Sequence, residues 1–312
     1  MNESIIYSTS SLYRDDFRVK AYTFGRGEKA LCVVGNMRGN EYQQIYICSQ
    51  LMRCFRQWEQ EDRFIAGRQV MIIPSVNPSS MNIGKRFWAI DNTDINRMFP
   101  GYSEGETTQR IAAGVFEVID KYQNAIQLTS FYMPGDFSPH VRMMRTGYEN
   151  VRKAGDFGFP YIVVRNPRPY DTTTLNYNLQ IWETDAYSLY SNTTSRIDPE
   201  SAQKVISGIE RFMILNGMLK GETTPAPDAR VFEYGELISL RTTRAGLYHR
   251  LVEADTHVDK NTPVAEIYDP GSGDILETLY APVSGVIFFQ HNDPLVYAYT
   301  AAVKLLADPD PA

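Results

Sequence analysis

Over the first two thirds of the chain, short apolar runs alternate with stretches of helical period. Positions 29–34 (KALCVV) form an apolar run closed by Gly35, the pattern of a strand buried on both faces. Ile45, Cys48, Met52 and Phe55 then recur at helical spacing with Leu51 beside them, and Asn40 stands where an N-cap would be. A second buried strand is expected at 69–75 (QVMIIPS), after which Asn77-Pro78 opens a polar loop running to Gly105. Ile111, Val115, Val118 and Ile119 share one face of a helix over 107–122. Strands are expected at 125–131, 161–165 and 179–182, and a helix over 199–219. Alternating α and β patterns imply a mainly parallel sheet flanked by helices. Beyond Gly221 the pattern changes. A polar linker, 222–228 (ETTPAPD), leads into period-two alternation between closely spaced turns. The expected organisation is an α/β domain over 1–221 and an all-β domain over 229–312.

Composition narrows the function classes. With 312 residues, 43% hydrophobic and 22% charged, the chain is ordinary globular material. A net charge of -6 argues against a nucleic-acid surface, which needs concentrated positive charge. No apolar run reaches the length of a membrane span, and residues 1–16 lack the charge and apolar pattern of a leader, so no membrane partner and a cytoplasmic protein are expected. Cys32, Cys48 and Cys54 cannot all pair and sit in apolar surroundings, which suits reduced core thiols. Gly35 and Gly39 between strand and helix faintly suggest a phosphate loop but lack its Gly-Lys-Ser/Thr ending.

The polar loops carry the candidate chemistry. They read Gly35-Asn36-Met37-Arg38-Gly39-Asn40-Glu41, then Asn77-Pro78, Arg86-Phe87 and Asp94-Ile95-Asn96-Arg97-Met98-Phe99-Pro100-Gly101, then Gln127-Leu128-Thr129 and Ile181-Trp182-Glu183-Thr184. In order and separation this series resembles that of the aspartoacylase and succinylglutamate desuccinylase family. The resemblance implies a zinc-carboxypeptidase-like α/β fold, and hydrolysis of the carbon–nitrogen bond of an N-acyl amino acid by a zinc-bound water. It places Glu41 at a zinc-ligand position, with Arg38 and Thr129 where the family has its two histidines. Glu183 falls at the catalytic base, Arg86 at the group that polarises the scissile carbonyl, and Asn96 and Arg97 at the grip on the substrate carboxylate. Arg142 and Arg145 are further candidates for the substrate. The C-terminal segment, with Ala281-Pro282-Val283-Ser284-Gly285-Val286 and the turn 269–274, resembles the biotinyl/lipoyl-like barrel-sandwich appended to bacterial members. That turn has no lysine to carry a cofactor, which leaves the segment a structural or access-shaping role.

Blander readings exist for each residue. Glu41 suits the first turn of a helix through the dipole alone, Arg38 can simply pair with it, and Glu183 fits a solvated strand end. Asp136 and His140 are substitute metal ligands on the sharper reading and parts of a pocket-shaping turn on the plainer one. Neither an arginine nor a threonine holds zinc as imidazole does. Two functions from different classes follow: an amide hydrolase with an atypical zinc site, or a metal-free binder or regulator. Both take a small carboxylate-bearing molecule as partner, and assembly into a homo-oligomer stays open.

Overall fold

The computed structural model describes residues 1–11 and 15–309; the final three positions of the expected 229–312 domain lie outside them. The chain begins with β1 (Asn2–Thr9), β2 (Phe17–Gly25), β3 (Gly27–Asn36), α1 (Tyr42–Gln60), β4 (Gly67–Ser75), α2 (Pro78–Met81), α3 (Thr107–Ile119) and β5 (Asn124–Thr129). It continues through β6 (Gly135–Phe137), β7 (His140–Met144), α4 (Val151–Ala154), β8 (Tyr161–Arg165), α5 (Leu175–Ile181), β9 (Asp185–Tyr190) and α6 (Pro199–Leu215). The remainder is strands: β10 (Arg230–Glu233), β11 (Ile238–Arg241), β12 (Gly246–Arg250), β13 (His257–Val258), β14 (Pro263–Tyr268), β15 (Ile275–Tyr280), β16 (Gly285–His291), β17 (Leu295–Val296) and β18 (Ala301–Ala307).

Among the described residues, nine strands form one sheet in the order β1-β2-β4-β3-β5-β9-β7-β8-β10. Its centre, β4-β3-β5-β9, is parallel, as is the β7-β8-β10 end, and β7 meets β9 antiparallel. Burial on both faces explains the unbroken apolar run at 29–34. Leu31 and Val33 pack with Ile47, Leu51 and Phe55 of α1 and Val205, Ile209 and Phe212 of α6. Cys32 and Val34 face the other way, onto Ile111, Val115 and Ile119 of α3 and Leu175 and Leu179 of α5. The free thiols of Cys32 and Cys48 are buried, and burial pushes Cys48 up to about 12, so neither offers a thiolate near neutrality. No described helix is long and apolar enough to cross a membrane.

Two smaller antiparallel sheets follow, β11-β18-β16-β13 and β15-β14-β12-β17. The early and late parts of the chain exchange strands between these sheets. β10 pairs with β8 in the nine-stranded sheet, while β6, from the middle of the chain, pairs with β16.

Several local expectations need correction. The strand expected at 179–182 is the end of α5 and its turn, and the strand is β9, three residues later. Leu175 and Leu179, four apart, bury one helical face, and the Asn96 side chain accepts from the Leu175 amide at the helix start. The cap of α1 is Glu41, not Asn40. Asp136 and His140, expected on a pocket-shaping turn, lie on β6 and β7, and the β1–β2 pair was not anticipated, although Phe17, Val19 and Ala21 alternate with Arg18 and Lys20 as a half-buried strand should.

Candidate functional site

Sheet register builds the floor of a cavity. β5, β9 and β7 place Gln127, Ser188 and Arg142 in one cross-strand row, and Thr129, Tyr190 and His140 in the row two residues on, so all six lie on one face. The loop after β3 and the long loop after β4 wall this floor. The cavity they enclose, about 110 Å³, lies below the roughly 300–1,000 Å³ of drug-sized sites, which limits its occupant to a small molecule. Arg38, Arg86, Asn96, Arg97, Thr129 and Arg142 of the expected set all line it, together with Arg165, Tyr170, Asp171, Asn176 and Tyr234.

The two loops are joined backbone to backbone, Gly39 N–H donating to the Arg86 carbonyl at 3.0 Å. A Cβ on Gly39 would sit 2.2 Å from the Lys85 carbonyl oxygen, so this approach needs glycine. Glu41, 1% exposed, is fully committed. Its carboxylate accepts from the amides of Met37 (2.8 Å) and Arg38 (3.0 Å), the Ser130 hydroxyl (2.6 Å) and Arg38 Nη1 (3.1 Å). Arg38, 6% exposed, reaches in the other direction to Asp94 Oδ2 through Nη2 (2.8 Å) and Nε (3.1 Å). Burial alone would depress the Arg38 pKa, but Glu41 and Asp94 outweigh it and hold it above the usual range. Asp94 Oδ1 in turn accepts from the Asn96 amide at 3.0 Å and shapes the turn carrying Asn96 and Arg97.

That arrangement does not suit zinc. A guanidinium bridges Glu41 and Asp94, Thr129 spends its hydroxyl on the Gln127 carbonyl at 3.1 Å, and among the described residues no three His, Cys, Asp or Glu side chains gather as a metal site would require. Asp136 is paired instead with Arg250 (2.7 Å) and Arg196 (3.2 Å), and His140 lies flat on Tyr190 beneath the cavity, its ring 4.5 Å away. Nor does the structure bring every other candidate to the cavity. Glu183, with φ 65°, sits on the exposed turn between α5 and β9, and Arg145 points outward to Glu233. The first misplacement follows from the helix at 175–181, which turns the next residues to solvent, and the second from the end of β7, where Arg145 leaves the sheet.

What the cavity offers is donors. Arg97 and Arg165 share the buried carboxylate of Asp171, and Arg97 also donates to the Tyr170 carbonyl at 2.6 Å. Arg86 has no carboxylate partner among the described residues and makes only two bonds of 3.4 Å, to Asn40 Oδ1 and the Phe131 carbonyl. Burial and then repulsion from Arg38 lower its pKa. Asp171 is the one acidic residue lining the cavity among those described, and it is already bonded, so no free carboxylate stands ready as a base. Arg165, Asp171, Tyr190 and Tyr234 escaped the sequence reading. Arg165 and Asp171 carried a usable signal, an arginine closing a buried strand followed within six residues by Pro-Tyr-Asp.

His140 supplies a pH signature. Its Nδ1 donates to the Ser138 carbonyl at 2.8 Å, and burial, then Arg142, hold its pKa well below 6.5. His291 is lowered too, mainly by burial. Unfolded imidazoles titrate near 6.5, so below that pH the unfolded chain binds protons the folded one refuses. Stability is full above about 6.5 and falls with pH below it, at about 1.4 kcal/mol per pH unit for each imidazole still neutral in the fold. Urea titrations between pH 7.5 and 5 should show this fall, and His140→Gln should flatten it; an unchanged slope would remove His140 from the account.

Comparisons with known proteins agree with this architecture. Residues 28–131 match the family model described as the succinylglutamate desuccinylase/aspartoacylase catalytic domain. An N-alpha-acetyl-L-2,4-diaminobutyric acid deacetylase of Halomonas elongata is 25% identical over 271 residues, covering 78% of this chain and 72% of that protein. The fold matches the crystal structure of a succinylglutamate desuccinylase from Silicibacter sp. TM1040, with TM-score 0.79, 18% identity, and coverage of 97% of this chain and 94% of that one. It also matches the product-bound ectoine utilization protein EutE (DoeB) from Ruegeria pomeroyi, with TM-score 0.79, 16% identity, and coverage of 98% and 95%. The family match lies on the strand, loop and helix units that wall the cavity, so the similarity to the succinylglutamate desuccinylase/aspartoacylase catalytic domain falls on the part of the chain that builds the site.

Proposed function

We propose that the protein binds a small carboxylate-bearing amide of the N-acyl amino acid type, and that it does so without a catalytic metal. The observation that carries this reading is the guanidinium of Arg38 lying between Glu41 and Asp94. If Arg38 holds the place of a zinc-binding histidine and Thr129 that of the other, positive charge is built into the protein where the family uses a dication, and no protein group is left to activate water. Arg86, Asn96 and Arg97 then hold the ligand's carboxylate and carbonyl by charge-assisted hydrogen bonds. On this reading the C-terminal segment, 229–309 among the described residues, is a barrel-sandwich unit that closes the cavity with Tyr234. The hairpin tip 269–274, lysine-free and satisfied by its own Asp269 bonds to Gly271 and Ser272, carries no cofactor.

A second reading, amide hydrolysis, is favoured by the deacetylase relative matched over 271 residues. One experiment separates them. Chelator-treated protein should melt higher in millimolar N-acetyl amino acid, release no free amine, and lose about tenfold to a hundredfold of its affinity on Arg97→Ala, the worth of hydrogen bonds between charged groups. Stoichiometric zinc that chelator removes together with deacylase activity would overturn the metal-free reading.

A further inference from the structure

The nine-stranded sheet ends on one side at β1, and among the described residues no element bonds the outer edge of that strand. β2 pairs with its inner edge from Asn2 to Thr9, and the Thr23 hydroxyl donates to the Asn2 carbonyl at 3.4 Å. At eight residues β1 is also the longest strand to end any of the three sheets, against six for β15, four for β10 and β11, and two for β13 and β17. An exposed edge of this length is normally blunted by lysine, by proline or by bulges. β1 reads NESIIYST, with neither lysine nor proline, one register shift at Ile6, and Ile5 49% exposed. Such a row of open main-chain donors and acceptors is a template for another strand.

Helix α3 supplies the rest of the surface. Gly114 lies on Tyr7 of β1 so closely that a Cβ there would sit 2.4 Å from the ring. Arg110 and Glu117 stand one turn to either side of Gly114 on the same stripe, since residues three and four apart share a helix face. Both are exposed. Arg110 bonds only the Thr107 hydroxyl, at 3.4 Å, and Glu117 makes only a 3.6 Å contact with Lys121 of its own helix. Arg110 and Thr9 border one surface hollow, which puts the base toward the end of β1 and the acid toward its start. A strip with a base at one end and an acid at the other is complementary to itself when turned about a two-fold axis. We propose that this edge seats a second copy of the chain. The two β1 strands pair antiparallel about an axis beside Tyr7, join the two large sheets into one, and bring each Arg110 to the partner's Glu117. The strand suits this register, because Ile5 then opposes Thr9 and Ile6 opposes Ser8, with no like charges facing each other. Glu3, the one charged residue of β1, is already answered by Lys20 at 2.7 Å.

Charge reversal tests the geometry on the full chain. Sedimentation velocity should show a reversible dimer with a Kd of about 10 μM or tighter, and amide exchange over 2–9 should slow as the dimer fills. Arg110→Glu or Glu117→Arg alone sets like charges together at both ends of the interface and should weaken the dimer about tenfold or more. The double reversal rebuilds both pairs with their signs exchanged and should return the Kd to within about threefold of the wild type. Each change suits the helix dipole, an acid in the first turn and a base in the last, so α3 itself is not weakened. A chain that stays monomeric at about 200 μM overturns the proposal. So does a dimer whose β1 amides exchange as fast as those of the monomer, or one that ignores the single reversals or is not restored by the double, since association then runs through another surface. Neither readout involves the cavity, so the outcome is independent of what binds there.

Discussion

Replacing Arg38 with methionine is expected to lower the stability of the protein by about 3–5 kcal/mol, the usual result of leaving a buried charge without its partner. Methionine keeps most of the stem's packing, so the loss isolates the charge. Glu41 would keep the amides of Met37 and Arg38 and the Ser130 hydroxyl, which holds the cost toward the lower end. Asp94 would lose both of its guanidinium bonds, and with them the anchor of the turn carrying Asn96 and Arg97. In a chain of this size the change corresponds to a fall in Tm on the order of 10 °C, measured with urea titration to fix the free energy. A loss under about 1 kcal/mol would mean that the pairs behave as solvated surface bridges. The account of Arg38 as the built-in cation of the site would then fail.

Legibility in the sequence followed how far each signal is local. Strands buried on both faces announce themselves, because Leu31 to Val34 must be apolar in succession, and the helices around Ile47 and Ile111 repeat their face over several turns. The 179–182 segment misled because Leu179, Ile181 and Trp182 are few and close, and the Leu175 that completes the helical face lies beyond a short window. The polar loops could be read as a set through their order along the chain, and Arg38, Arg86, Asn96 and Arg97 do meet at one cavity. Glu183 went astray with the helix. Arg142 and Tyr190 were harder, because they become neighbours only through the antiparallel pairing of β7 with β9. No periodicity within either segment encodes that pairing. The interleaving of β6 with β16, and of β10 with β8, was equally unreadable, since each joins positions far apart in the chain.

That interleaving leads to the second large effect. Phe289 of β16 is wholly buried, pairs in register with Phe137 of β6, and packs in one cluster with Phe131, Phe137 and Tyr190. Gly135 exists to let it in: a Cβ there would lie 2.3 Å from the Phe289 ring. Phe289→Ala should destabilise the protein by about 3–5 kcal/mol, the sum of lost transfer energy and the void left behind. The cluster should not collapse to fill that void without moving Phe131 and Tyr190, whose rings lie against the Arg142 guanidinium. Affinity for an N-acetyl amino acid should therefore fall together with stability. Phe55→Ala serves as the control, because Phe55 is equally buried but packs between α1 and the far face of the sheet. It should lose a similar amount of stability and keep the affinity of the wild type, measured at a temperature where both variants are folded. If Phe289→Ala also kept that affinity, the C-terminal strands would be mere covering, and the site would owe its geometry to the large sheet alone.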